Sequence, residues 1–372
     1  MSDFTAVATC GFGLESVLNF ELKKLGMRDI KVSDGRITFT ASGEEIARAN
    51  IALRTAERVL ILVARWHAET FDELFDGARA AQLGDIIGSR DEFPVKGYCM
   101  NSKLTSVPAC QSVLKKACVE NLRTHYKTAE LPENNGITKK LRFALVGDEC
   151  TLMLDTSGDG LHKRGYRPLL NEAPIKETLA AGICDLARVF PESHVRDPFC
   201  GSGTLVIEAA LRAKNIAPGI KRSFAGESYD FLGGKKAFDL SREWARSQQR
   251  NDAEFEGRGS DIDPKAVEIA RANARRAGVD GCVKFTVADA VKHSAGPDEI
   301  VLANPPYGER LMSPQQVERL YADFGKGIFA QKIKGLYIIS SAADFENLIG
   351  KKAARRRKLY NGMLPCQLYM YF

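Results

Sequence analysis

One short run constrains this chain more than any other. Asp197-Pro198-Phe199-Cys200-Gly201-Ser202-Gly203-Thr204 stands between a strand-like segment at 193–197 and a helical one at 204–214. Glycines at such a junction let the backbone bend sharply and admit a ligand where a Cβ would stand. Three more strand-end segments follow in order: Arg258-Gly259-Ser260-Asp261-Ile262-Asp263, Val287-Ala288-Asp289-Ala290 and Val301-Leu302-Ala303-Asn304-Pro305-Pro306-Tyr307. The spacing from Asp261 to Asp289 to Asn304 suits consecutive βα units. Helix and strand patterns alternate from residue 175 onward, which predicts a mostly parallel α/β sheet. Ligands of open α/β sheets sit outside the carboxyl ends of the strands, where all four segments fall. The gap from Asp197 to Asp261 is too long for one βα unit, so an insertion is expected near 215–250. Its basic and aromatic residues, among them Lys221, Arg222, Phe224, Tyr229 and Phe231, suit a nucleic-acid-facing flap or a plain surface subdomain. Asn361-Gly362 between two strand-like runs predicts a terminal antiparallel hairpin.

The first 165 residues read differently. Strands are expected at 4–9, 37–40 and 58–64, and helices at 14–25, closed by Gly26, and 43–54. They make a small α/β unit over 1–65. A second unit holds an amphipathic stretch at 71–81, an extended piece at 93–98 and a long helix at 107–126 with Ser106 as cap. A hairpin about Gly147-Asp148 completes it. The glycine-rich basic run 157–167 marks the joint, giving three domains: 1–65, 66–165 and 166–372.

Bulk properties exclude more than they select. The 372 residues carry a net charge of +6, which permits a nucleic-acid partner without requiring one. No apolar run reaches membrane-span length, and the N-terminus lacks a signal-peptide pattern. Nine scattered cysteines without any Cys-x-x-Cys argue against a zinc site and a disulfide framework. Reduced thiols in the cytoplasm, and no metal, are the expectation.

The segment at 304–307 has its own chemistry. The exocyclic amine of a base is a poor nucleophile, because its lone pair is delocalised into the ring. The Asn304 side-chain oxygen and the Pro305 carbonyl can each accept one of its N–H groups and aim the lone pair. Pro305 and Pro306 fix the backbone, and Tyr307 can stack on a flipped base. The motif resembles that of the gamma-type class I amino-methyltransferases, which share Asn-Pro-Pro-Tyr or a close variant. That resemblance implies S-adenosylmethionine as cofactor, held by Asp197, Pro198, Cys200, Gly201, Gly203, Thr204 and Asn304. Asp261 would accept from the ribose diol, Asp289 from the adenine amino group, and the backbone at Ala290 would face the ring. Asp263 is expected to cap the following helix, and Cys200 to pack as a small residue. The acceptor stays open among adenine N6, guanine N2 and a protein glutamine.

The amino-terminal half narrows that choice. Ser102-Lys103-Leu104-Thr105-Ser106-Val107-Pro108, the joint Leu161-His162-Lys163-Arg164-Gly165-Tyr166-Arg167 and Ala173-Pro174-Ile175-Lys176-Glu177-Thr178-Leu179 resemble one family. It is the THUMP-containing RNA methyltransferases, those like the amino-terminal methylating half of the bacterial 23S rRNA guanine-N2 enzyme. The resemblance implies a ferredoxin-like domain, a THUMP RNA-binding domain and a Rossmann-like catalytic domain ending in the hairpin. The chain stops at Phe372, directly after that hairpin, and is expected to be a stand-alone member. RNA contacts are expected from Lys103, His162, Lys163, Arg164 and Arg167. 23S rRNA is the expected substrate and guanine N2 the acceptor. Transfer to tRNA, adenine-N6 methylation and a non-catalytic RNA-binding assembly factor stay open beside it. The basic run 351–358 is expected either to border the substrate mouth or to keep a sheet edge soluble.

Overall fold

The computed structural model describes residues 3–131, 136–168, 175–306 and 313–372. Two seven-stranded sheets organise them. The first contains β1 (Phe4–Cys10), β2 (Arg28–Ser33), β3 (Arg36–Ala41), β4 (Ala56–His67), β5 (Val95–Met100), β6 (Leu141–Val146) and β7 (Glu149–Asp155). Their order is β2-β3-β1-β4-β7-β6-β5. Helices α1 (Glu15–Lys24), α2 (Gly43–Ala52), α3 (Phe71–Arg79) and α4 (Val107–Tyr126) accompany it. Strand alternation sets the faces: Ala6 and Ala8 enter the main core, while Val7 joins Leu60, Ala144 and Met153 in a small separate cluster. Capping boxes start α2 (Ser42 with Glu45) and α3 (Thr70 with Glu73). Strand β4 crosses residue 65 and pairs with β1 on one side and β7 on the other. The sheet therefore runs unbroken across the expected boundary at that position.

The second sheet contains β8 (His194–Asp197), β9 (Glu256–Asp261), β10 (Val283–Val287), β11 (Glu299–Ala303), β12 (Gly335–Ser340), β13 (Arg355–Asn361) and β14 (Leu364–Tyr371). The order β10-β9-β8-β11-β12-β14-β13 has five parallel strands followed by an antiparallel pair. This is the Rossmann-like arrangement with a terminal hairpin that the sequence pattern implied. Helices α5 (Glu177–Leu186), α6 (Thr204–Ala213), α8 (Pro264–Ala277), α9 (Pro314–Phe329) and α10 (Phe345–Ile349) belong to this half, and α7 (Gly234–Ser247) lies in the insertion between α6 and β9. From β8 the chain builds outward through β9 and β10, then returns to β11 on the other side. The crevice between β8 and β11 is thus the topological switch point. The hairpin loop differs by one residue from expectation. Asn361 pairs with Leu364, leaving Gly362-Met363 as the loop. Gly362 has φ +66, which suits glycine at the first central position of a type II′ turn.

The insertion is neither a flap nor a detached surface unit. Phe224, Tyr229, Leu232 and Phe238 are buried in the core of the first sheet, where α7 packs on α2. The Tyr229 hydroxyl donates to the Asp155 carbonyl at 3.0 Å. In exchange, Leu14 and Val17 are buried in the core of the second sheet, and a Cβ on Gly182 would come within 2.6 Å of Leu14. Each such apolar side chain stabilises the junction by roughly 1.5–3 kcal/mol. Among the described residues, no helix is long and apolar enough to cross a membrane.

Candidate active site

The glycine turn leaves the carboxyl end of β8. Gly201 and Gly203 have φ +48 and +83, so both occupy backbone space that L side chains avoid. Gly203 has a second reason to be glycine: a Cβ there would come within about 3 Å of Phe285 and Ala270. Asp197 is buried, and its carboxylate accepts from the Phe199 N–H at 2.9 Å. Burial, with Asp261 nearby as a further cause, pushes its carboxyl up to about 8. Pro198 and Cys200 are also buried. Cys200 donates its backbone N–H to the Ser260 carbonyl at 2.9 Å, tying the turn to β9. Asp197, Pro198 and Cys200 thus shape the turn from beneath.

Asp261 ends β9 and links the neighbouring loops. One carboxylate oxygen accepts from the Gly201 N–H at 2.9 Å, the other from the Asp263 N–H at 3.0 Å. Each oxygen retains a lone pair, the acceptor set that a vicinal diol needs. Asp263 caps α8 by accepting from the Lys265 N–H at 2.9 Å, as expected. Asp289, half-buried, accepts from the Val291 N–H at 3.0 Å, and Ala290 beside it is buried. Two residues to which the sequence reading gave no role join them. Ile262 is 72% exposed and Val287 51% exposed, and Val287 pairs with Asp261 across β9 and β10. The signal for Ile262 was an aliphatic residue between two aspartates in a strand-to-helix turn. Two exposed apolar side chains beside a half-engaged carboxylate fit a nucleoside: a ring to cover and a diol to bond.

Asn304 follows β11 at the switch point, since β11 pairs directly with β8. Its Oδ1 is buried and has no hydrogen-bond partner among the described residues. Such an orphaned acceptor costs about 1–3 kcal/mol, so a donor is expected there in the working complex. Pro305 is buried and Pro306 half-buried. The Tyr321 hydroxyl on α9 donates to the Pro306 carbonyl at 2.9 Å and lies 3.3 Å from the Ser340 hydroxyl. One turn further along α9, Phe324 meets Phe199 of the glycine turn edge-on, with centroids 5.1 Å apart. Tyr307 lies outside the described residues.

The joint behaves differently from its sequence expectation. Arg164 is buried; it donates to the carbonyls of Leu161 and Arg54, and its Nε lies 3.6 Å from Glu208. Arg167, with its side chain 6% exposed, donates to the Ile175 carbonyl, to the Thr204 hydroxyl at 2.8 Å and to Glu177 at 3.0 Å. Both guanidinium groups are buried and bonded through their Nη atoms inside the chain, so their assignment to RNA is corrected: they brace α6, the helix that follows the glycine turn. Tyr166 adds a third brace through its hydroxyl, which donates to Glu208 at 3.0 Å. His162 is half-buried against Glu57 at 3.1 Å. Lys163 and Lys103 remain exposed, beside Asp159 and Glu69 respectively.

The chain is similar to known proteins along its length. Residues 164–370 match the family described as RMKL-like, methyltransferase domain, and residues 5–60 match the RlmL ferredoxin-like domain. The chain is 38% identical to "Putative RNA methyltransferase YpsC" of Bacillus subtilis (strain 168), over 100% of this chain and 97% of that protein. It is 32% identical to "Ribosomal RNA large subunit methyltransferase K/L" of Psychromonas ingrahamii, over 96% of this chain. It spans only about half of that relative's length, 49%. Among solved structures, SMU.472, "a putative methyltransferase complexed with SAH", superposes with a TM-score of 0.92 at 38% identity, covering 100% of this chain and 98% of that one.

Proposed function

Because the chain belongs to the RMKL-like methyltransferase family, we propose that it transfers a methyl group from S-adenosylmethionine to guanine N2 of 23S rRNA. The observation that carries this reading is the buried, unpartnered Asn304 Oδ1 beside the glycine turn. An amine N–H is the donor it lacks. The RNA class is supported by the names of the relatives, and guanine N2 by the resemblance of the amino-terminal half and joint to guanine-N2 enzymes.

Asp261 accepts from the ribose hydroxyls, Asp289 from the adenine amino group, and Ile262 and Val287 cover the ring. The bound cofactor supplies an electrophilic methyl on a sulfonium. Asn304 Oδ1 and the Pro305 carbonyl accept the two amine hydrogens and orient the nitrogen lone pair. Tyr321 holds the backbone that does this, through Pro306. Acceleration comes from alignment and from acceptors already in place, and the amine proton leaves after transfer. Tyr307 stacks on the flipped base. A THUMP domain over 66–165 grips the RNA, with Lys103, His162 and Lys163 near the phosphates.

The test uses purified protein, labelled cofactor and RNA from cells lacking the gene. Label in 23S rRNA, recovered as N2-methylguanosine, is the expected result. Label in tRNA would change the partner, and methyladenosine would change the base. Unlabelled RNA throughout would overturn the reading.

A further inference from the structure

The terminal hairpin overhangs the edge of the sheet that carries Asn304. Ser340, the last residue of β12, pairs with Gln367, and Gln367 pairs with Lys358. Both hairpin strands continue three residues past that level, to the Asn361–Leu364 pair, an overhang of roughly 10 Å. Strand β13 lies three strand spacings from β11, roughly 15 Å. The hairpin tip therefore stands beside the proposed acceptor site, on the same edge of the sheet.

Between this overhang and the first sheet opens a cleft of about 730 Å³, lined by Phe12, Lys176, Lys358, Tyr360 and Met363 among others. That volume suits a nucleotide-sized guest. Its walls are pinned to each other. Arg357 donates Nε to the Gly13 carbonyl at 2.7 Å and Nη2 to the Ser16 hydroxyl at 2.7 Å. A Cβ on Gly13 would come within 2.2 Å of the Lys358 carbonyl oxygen. The cleft is thus formed before any guest arrives, which lowers the ordering cost of binding.

Its chemistry selects the guest. Met363 is 96% exposed and Phe12 45% exposed, and Phe12 meets Tyr360 edge-on at 5.8 Å between centroids. Lys358 Nζ lies 5.6 Å from the centre of the Tyr360 ring, exposed and without a carboxylate partner among the described residues. Two lining carboxylates are already engaged. Glu15 accepts from the Gly13 and Gly35 N–H groups, and Glu57 is held by His162, Thr178 and Lys176. Asp34 also lines the wall. The exposed Phe12 ring, the half-buried Tyr360 ring and the Lys358 cation are what a base and its phosphate require.

We propose that this cleft is a second nucleotide-binding subsite, which takes an unstacked base of single-stranded RNA flanking the methylated nucleotide, with its phosphate at Lys358. The proposal rests on the RNA methyltransferase reading above. Its test compares wild type with Phe12→Ala, Met363→Ser and Lys358→Ala, using RNA from cells lacking the gene. All three sites are surface-exposed, and unchanged affinity for S-adenosylhomocysteine reports an intact fold. Phe12→Ala is expected to weaken RNA binding about 10-fold, and Met363→Ser to weaken it as well. Lys358→Ala should lower the salt dependence of binding by about 0.7 in log–log slope. Variants that bind RNA as wild type does, while wild type methylates it, would overturn the subsite alone. A wild type that methylates no RNA would instead overturn the functional reading, and the subsite with it.

Discussion

The Tyr321 hydroxyl donates to the Pro306 carbonyl at 2.9 Å, placing a buried phenol directly behind the segment that presents Asn304. Burial pushes this phenol up to about 12, so it stays a donor at neutral pH. Tyr321→Phe would leave that carbonyl unanswered while keeping the ring. A loss of about 1 kcal/mol in stability is expected, with kcat falling about 10-fold as the acceptors lose their alignment. Affinity for S-adenosylhomocysteine should hold. Kinetics and calorimetry on one preparation check all three, and an unchanged kcat would contradict the role given to Tyr321.

Arg167 braces the helix that follows the glycine turn. Its planar fork reaches the Ile175 carbonyl, the Thr204 hydroxyl and Glu177 together, a pattern that lysine cannot reproduce. Arg167→Lys should weaken S-adenosylhomocysteine binding about 10-fold by calorimetry, with RNA binding within about twofold of wild type. The opposite split would restore the assignment made from sequence.

Asp197 gives stability a pH dependence of known sign. Its carboxyl titrates near 3.8 when unperturbed and is pushed up to about 8 in the folded protein. The folded state therefore favours the protonated acid. Its contribution is fully present below about pH 4 and is lost as pH rises toward 8. Asn in its place keeps an acceptor for the Phe199 N–H and does not titrate. The denaturant midpoint of Asp197→Asn, relative to wild type and without cofactor, should rise between about pH 5 and about pH 8. A difference independent of pH would rule this out.

Gly13 is required on two counts: φ +88 and the contact with the Lys358 carbonyl. Gly13→Ala should destabilise the protein by about 2 kcal/mol or more, because the turn must both strain and move off the hairpin. Gly11→Ala, with open space around the added carbon, is the matched control. Equal thermal midpoints for the two would refute the close approach.

The places of the candidate residues along the sheet were more legible in the sequence than the contacts that support them. Asp261, Asp289 and Asn304 could be placed because parallel strands deliver their carboxyl ends to one edge at regular intervals. Asn361-Gly362 located the hairpin to within one residue, the shift arising because a type II′ loop takes glycine first. Strand β2 was missed, since five of its six residues are exposed and its apolar alternation is only Ile30 and Val32 long. Arg164 and Arg167 were misread because a charge in a glycine-rich run looks solvated. Their main carboxylate neighbours, Glu208 and Glu177, become neighbours only when the joint folds onto α6 and α5. The insertion was misread for the same reason: its aromatic residues fill a core built by the first sheet, far away in sequence.

The central claim, methyl transfer aimed by Asn304, is met most directly by nucleoside mass spectrometry of RNA from a deletion strain, complemented with wild type or with Asn304→Ala. N2-methylguanosine should fall in 23S rRNA on deletion, return with wild type and stay absent with Asn304→Ala. Full restoration by Asn304→Ala, or a methylguanosine level indifferent to deletion, would contradict the account.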